Sequence, residues 1–83
     1  MTEAMTAEDV AARVESVFVQ VFGNRLPFSL ELARADHEYW TSLKHMEFLI
    51  ALEMEFGIRL DGADAVDMQS IATVIERVAE RMA

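Results

Sequence analysis

Apolar residues recur with helical spacing in three stretches of this chain. The first stretch begins at a capping-box pattern formed by Thr6 and Asp9 and stops at Gly23-Asn24. Between them, apolar residues stand at i, i+4, i+7, i+8 and i+11, namely Val10, Val14, Val17, Phe18 and Val21. This stripe predicts a first helix over about residues 7–22, and residues 1–5 before it are expected to form a flexible tail.

The second stretch, Trp40 to Gly57, predicts a helix with hydroxyl residues at its start and a glycine at its end. At about 100° per residue this helix has two apolar faces. One face comprises Phe48, Leu49, Leu52 and Phe56. The opposite face, called the outer face below, comprises Leu43, Met46, Ile50 and Met54, with Glu47 and Glu53 beside it. Because a small domain has one core, the outer face is left for another purpose unless the preceding loop buries it.

Residues 23–41 connect these two helices. Apolar side chains alternate there with polar residues and Pro27, at Leu26, Phe28, Leu30 and Leu32. Alternation alone is typical of a short strand, but no second strand candidate exists to pair with it, so we predict no sheet. The segment is expected to run extended over the core and to insert these side chains, with a helical turn starting at Ser29.

The chain after Gly57 predicts two more helical segments. Ile58 and Leu60 are expected to tuck under the core, and residues 61–68 to form a short helix or a single turn. Ser70 can cap a last helix with the inward stripe Ile71, Val74, Ile75, Val78 and Met82. Residues 1–83 are therefore predicted to form one all-α domain. It is a small antiparallel bundle of three longer helices and one short helix, with a long loop between helices 1 and 2.

Composition narrows the classes of partner. Hydrophobic residues make up 53% of the chain, which predicts a folded domain. Asp and Glu outnumber Lys and Arg by 15 to 7, for a formal net charge of -8. Such a surface would repel phosphate backbones, so we expect no nucleic-acid partner and favour proteins with basic surfaces.

Other functional classes are disfavoured by what the sequence lacks. There is no cysteine, so the polypeptide itself offers neither a disulfide nor thiolate chemistry. Met1-Thr2-Glu3 has no signal-peptide pattern, and the longest apolar run, Phe48 to Leu52, is too short to span a membrane. We therefore expect a soluble, cytoplasmic monomer that does not contact a membrane.

The order of elements resembles that of the acyl carrier protein family: a helix, a long loop, a Ser-Leu pair opening an acidic-apolar helix, a short helix and a final helix. The similarity is most specific from Trp40 to Ile58. In that family an Asp-Ser-Leu motif opens the second helix. Here the motif reads Thr41-Ser42-Leu43 and continues as Ala51-Leu52-Glu53-Met54-Glu55-Phe56-Gly57-Ile58, close to Ala-Leu-Glu-Glu-Glu-Phe-Gly-Ile. Thr41 stands in place of the aspartate, and Lys44 and Met54 stand where acidic residues are common.

The resemblance implies that Ser42 carries a 4′-phosphopantetheine arm, supplied from coenzyme A by a magnesium-dependent phosphopantetheinyl transferase. The thiol of the arm would hold an acyl or aminoacyl group as a thioester, in fatty acid, polyketide or related synthesis, and the chain itself would not be an enzyme. An apolar cargo would find shelter near Phe28, Met46, Leu49 and Met68. The transferase and the acyl- or aminoacyl-processing enzymes would contact Leu43, Met46, Glu47, Ile50 and Glu53.

Simpler interpretations stand beside this one. Ser42 could be only an N-cap, although Thr41 could take that role instead. A serine nucleophile with His45 as its base is disfavoured, because His45 points toward the core and no oxyanion-hole motif is present. Two acidic groups, residues 36–38 and the series Asp61, Asp64 and Asp67, match no metal site and are predicted to be solvated surface. The main alternative function is an unmodified helical module that binds a partner helix on the outer face.

Overall fold

The computed structural model describes residues 6–82, which form four α-helices. They are α1 (Ala7–Phe22), α2 (Ser42–Phe56), α3 (Gly62–Asp67) and α4 (Ile71–Met82). No strand occurs within residues 6–82, which confirms the predicted all-α fold of three longer helices, one short helix and a long α1–α2 loop. The predicted flexible tail at residues 1–5 lies outside the described residues.

Side-chain caps and glycines set the helix ends. Thr6 and Asp9 form the predicted capping box of α1, in which each side chain accepts a hydrogen bond from the other residue's backbone N–H. Helix α2 ends at Phe56 and is capped by Gly57, whose φ of 64° and ψ of 37° are left-handed and favour a residue without Cβ. Ser70 caps α4 as predicted, because its Oγ accepts a hydrogen bond from Thr73 N–H at 3.2 Å.

Aromatic rings from α1, α2 and the segment before α2 form a cluster within the core. The rings of Phe18 and Phe22 on α1 lie 5.7 and 5.6 Å from the ring of Phe48 on α2. Trp40, two residues before α2, packs edge-on against Phe22 at 5.4 Å and is only 2% exposed. This burial fixes the chain immediately before the first residue of α2.

The loop between α1 and α2 follows the prediction in part. Leu26 and Leu32 are buried and Phe28 is half-buried against the core, but Leu30 is exposed. The prediction that Leu30 inserts into the core is wrong. A turn at Ser29, closed by a hydrogen bond from Leu32 N–H to the Ser29 carbonyl, interrupts the alternation and leaves Leu30 in solvent.

Asp64 ties α3 to α4. It is buried, and its carboxylate pairs with the guanidinium groups of Arg77 and Arg81 on α4. The prediction that this aspartate belongs to a solvated surface is wrong, because its two arginine partners stand on another helix and do not show in the local acidic spacing. These hydrogen bonds lower the pKa of Asp64, Arg81 making the largest contribution.

Candidate functional site

The first turn of α2 leaves the Ser42 hydroxyl available. Thr41 is the N-cap, with φ −77° and ψ 171°, and its Oγ1 accepts a hydrogen bond from Lys44 N–H at 3.1 Å. Ser42 is therefore the first helical residue, and its exposed side chain does not serve as the cap. Between the two capping assignments left open by the sequence, the structure selects Thr41.

Arg34 lies directly against this hydroxyl. Its Nη2 donates a hydrogen bond to Ser42 Oγ at 2.9 Å. The guanidinium also donates from Nε to the Trp40 carbonyl and from Nη1 to Gln69 Oε1, each at 3.3 Å. Ser42 therefore has a positively charged neighbour at hydrogen-bond distance, which the sequence interpretation missed.

Backbone pairing places Arg34 there. The residue opens a 3-10 turn, Arg34–Asp36, and its N–H donates to the Gln69 carbonyl at 2.8 Å. Ile71 N–H donates in turn to the Leu32 carbonyl at 2.9 Å, and Ala33 and Ser70 form an isolated antiparallel bridge. The α1–α2 loop is thereby joined to the α3–α4 connection. No short-range signal marks this pairing, because it joins segments more than thirty residues apart in the chain.

His45, three residues after Ser42 on α2, is buried and takes part in a chain of hydrogen bonds. Trp40 Nε1–H donates to His45 Nδ1 at 3.0 Å, and His45 Nε2 lies 2.8 Å from the Ala65 carbonyl on α3. Since Nδ1 accepts, the proton belongs on Nε2, which donates to Ala65, and the imidazole is neutral. Burial lowers the pKa of His45, the Ala65 hydrogen bond opposes this, and the nearby charge of Arg34 lowers it further.

These hydrogen bonds argue against a catalytic dyad of Ser42 and His45. Both ring nitrogens of His45 are engaged, one by Trp40 and one by Ala65. The imidazole therefore has no free nitrogen with which to accept a proton from Ser42. It joins α2 to α3 beside the serine and matches the sequence expectation of a packed, core-side histidine.

A pocket of about 220 Å³, open to solvent, lies beside Ser42 between α2 and α3. It is lined by Arg34, Ser42, His45, Met46, Ala65, Val66 and Gln69. Of the four predicted acyl-pocket residues, Met46 lines this space. Leu49 and Met68 are buried in the core, and the Phe28 ring packs edge-on against Phe18 at 5.4 Å. The acyl-shelter role of the four residues stays a prediction.

The outer face of α2 is exposed. Leu43 is 69% exposed, Met54 80%, and Met46 and Ile50 about half. The loop therefore does not cover this face, and the face that includes Phe48 and Leu52 packs inward as predicted. Four large apolar side chains on one exposed helix face are a typical protein-contact surface.

The two acidic residues beside the outer face differ in their surroundings. The Glu47 carboxylate is 46% exposed and lies 3.4 Å from Lys44 Nζ. The Glu53 carboxylate accepts a hydrogen bond from Leu60 N–H at 2.7 Å and so supports the α2–α3 connection. Their predicted contacts with partner proteins stay predictions.

Metal binding and membrane crossing are not indicated in the described part of the chain. Residues 6–82 contain no cluster of three or more His, Asp or Glu side chains that could hold a metal ion. None of the helices described here is both long and apolar enough to cross a membrane.

Comparisons with known proteins add no family assignment. A scan against protein-family models, a search of curated proteins and a search of solved structures each gave no match. The resemblance to acyl carrier proteins therefore stays a prediction, made from the Trp40–Ile58 motif and the predicted order of helices.

Proposed function

We propose that this protein is a non-catalytic carrier whose Ser42 bears a 4′-phosphopantetheine arm. The observation that carries the proposal is the exposed Ser42 hydroxyl at the first residue of α2, in contact with Arg34 and next to an exposed apolar face. The arm would supply a thiol that holds an acyl or aminoacyl group as a thioester, chemistry that a chain without cysteine does not offer.

The residues around Ser42 suit a phosphate group. The first-turn N–H groups of a helix and its dipole favour a negative charge at this end. The Arg34 guanidinium adds a full positive charge at hydrogen-bond distance from the atom that would be esterified. Thr41 caps the helix without a carboxylate, so no negative charge from the cap opposes the phosphate.

Attachment is a phosphoryl-group transfer that the transferase would carry out. Ser42 Oγ forms the new P–O bond to the pantetheine-bearing phosphorus of coenzyme A. The pyrophosphate P–O bond breaks, adenosine 3′,5′-bisphosphate leaves with the electron pair, and the hydroxyl proton passes to a base of the transferase. This chain contributes the exposed nucleophile and the docking surface. His45 does not serve as the base, because both of its ring nitrogens are already engaged in hydrogen bonds.

The outer face is the proposed docking surface for the transferase and the loading enzymes. It flanks Ser42 on the same helix, and Leu43 follows the serine directly. The excess of acidic residues over the whole chain favours partners with basic surfaces. Apolar contacts on α2 would supply affinity, and surface charge would supply steering.

Incubation with coenzyme A, Mg²⁺ and a broad-specificity phosphopantetheinyl transferase tests the proposal. We expect the intact mass to rise by one phosphopantetheinyl group in the wild type and in Ser29→Ala, an exposed-serine control, but not in Ser42→Ala. A gain that persists in Ser42→Ala would contradict the assignment of the serine.

The second candidate is an unmodified interaction module that binds a partner helix on the outer face. The exposure of Leu43, Met46, Ile50 and Met54 favours it equally well. The two functions differ in their dependence on Ser42. Ser42→Ala would leave helix binding intact in the module and would abolish function in the carrier while the fold survives.

A further inference from the structure

Arg34 differs from the paired arginines of this protein in the charge of its partners. Arg13, Arg77 and Arg81 each form an ion pair with an aspartate or glutamate. Arg34 forms no ion pair with any residue between 6 and 82. Its side chain donates hydrogen bonds to three uncharged oxygen atoms: the Trp40 carbonyl oxygen, Gln69 Oε1 and Ser42 Oγ. In a chain with net charge -8, this half-buried cation has no counterion among residues 6–82.

The direction of the Arg34 side chain is fixed before any ligand arrives. Its backbone N–H is held by the Gln69 carbonyl, and its guanidinium is held from two sides by Trp40 and Gln69. The Trp40 carbonyl is itself positioned by the buried indole of the same residue. A guanidinium constrained in this way needs little reorganisation to bind an anion next to Ser42.

We propose that Arg34 is the phosphate-positioning residue of this site, and that its guanidinium pairs with the phosphate group bonded to Ser42 Oγ. The inference rests on the proposed function. A phosphorus atom on Ser42 Oγ lies one covalent bond from the atom that Arg34 Nη2 contacts, so the phosphate oxygens fall within reach of the same guanidinium. Arginine binds phosphate oxygens through parallel N–H groups, and the phosphate supplies the missing counterion.

Arg34 also affects the charge around Ser42 and the freedom of the attached arm. The neutral cap Thr41 and the cation Arg34 together make the surroundings of Ser42 positive, although the chain is acidic overall. The arm would then be anchored at its phosphate end beside the 220 Å³ pocket rather than free at its point of attachment. Arg34 would not take part in bond making, since it acts by holding the phosphate.

A phosphoserine at position 42 tests this contact without any transferase. The full chain is assembled by chemical synthesis with phosphoserine at residue 42, and the second phosphate ionisation is followed by ³¹P NMR against pH. A phosphoserine ordinarily has this pKa at about 6. We expect Arg34→Gln to raise it by about 0.5 or more relative to the wild type, because a neighbouring cation favours the dianion.

Two further variants and one further measurement show whether the change in phosphate pKa comes from the Arg34 guanidinium. Arg34→Lys keeps a positive charge and is expected to keep part of the effect. Arg25→Gln is the matched control, because Arg25 stands in the same loop but stacks on the Tyr39 ring at 5.0 Å. If Arg34→Gln does not fold, as judged by circular dichroism, the ¹⁵N shift of Arg34 Nε in the wild type provides the test. It is expected to titrate with the same midpoint as the phosphate.

The outcomes separate this inference from the proposed function. A phosphate pKa that is the same in the wild type and in folded Arg34→Gln would overturn the role of Arg34, even if Ser42 is loaded normally. So would an Arg34 Nε shift that does not follow the phosphate. A pKa that depends on Arg34 would support the contact even if no transferase modifies Ser42, and in that case only the carrier function would fail.

Discussion

The indole Nε1–H of Trp40 donates to Nδ1 of His45 at 3.0 Å inside the core. The two residues stand on either side of the Thr41-Ser42 pair, so this hydrogen bond holds the entry to α2 in place. Because the opposite ring nitrogen bonds the Ala65 carbonyl, the same imidazole joins the serine-bearing turn to α3. Protonation of His45 would turn Nδ1 into a donor facing the indole donor, and the contact would be lost.

This contact predicts a loss of stability on mild acidification. The pKa of His45 is lowered in the folded protein, so near and below about pH 6.5 the unfolded chain binds the proton more readily. The free energy of unfolding should therefore fall as pH is lowered from 7.5 to 5.5. Urea unfolding at a series of pH values measures it, and His45→Gln should show a weaker dependence. An equal slope in the variant would exclude His45 as the cause.

Asp64 predicts a second, more acidic transition. Its pKa is lowered by its arginine partners. Its contribution to the free energy of unfolding is therefore present above its pKa in the unfolded chain, about 3.9, and is lost as pH falls toward its lower pKa in the folded protein. Asp64→Asn breaks a buried pair and should cost about 3 kcal/mol at pH 7. The control is Asp67→Asn: its side chain is 58% exposed, so removing its pair with Arg77 should cost about 1 kcal/mol or less. Equal costs in denaturant unfolding would contradict the burial argument.

The capping assignment predicts effects of different size on stability for two adjacent hydroxyl residues. Thr41→Ala removes the acceptor of Lys44 N–H and should destabilise the protein by about 1 kcal/mol. Ser42→Ala removes an exposed hydroxyl that caps nothing and should change stability by about 0.5 kcal/mol or less. Thermal unfolding of the two variants measures the difference. A larger loss in Ser42→Ala than in Thr41→Ala would reverse the assignment.

The outer face predicts a variant that folds normally but is modified poorly. Ile50 is 51% exposed, so Ile50→Glu should leave the unfolding midpoint nearly unchanged. It should lower the rate of transferase modification at least about tenfold, by adding a charge to an apolar contact. Val19→Glu is the matched control, because Val19 is 50% exposed on α1. Equal modification rates in the two variants would remove the outer face from the docking surface.

Much of the fold follows from local patterns in the sequence. The stripe from Val10 to Val21 and the cap at Thr6 define α1, and Gly57 defines the end of α2. The two-faced pattern of α2 is also local, so its buried and exposed sides agree with the prediction. Leu30 does not follow its pattern, because the turn closed between Ser29 and Leu32 interrupts the alternation and leaves Leu30 in solvent.

The contacts around Ser42 depend on long-range pairing, and the sequence pattern does not show them. Arg34 reaches the serine because its backbone pairs with Gln69, a residue thirty-five positions later. Asp64 is buried because two arginines on α4 neutralise it, although its neighbours in sequence suggest a solvated acidic turn. A charged residue in a loop carries no local sign of its partner, so such contacts emerge only from the folded chain.

The mass of the Ser42 peptide, from protein purified from its native host, tests the carrier function most directly. Proteolysis and tandem mass spectrometry give both the added mass and the residue that carries it. The carrier account predicts a phosphopantetheinyl group on Ser42, with or without a thioester-linked cargo. A Ser42 peptide found only in unmodified form, in protein made under conditions where its pathway is active, would contradict it.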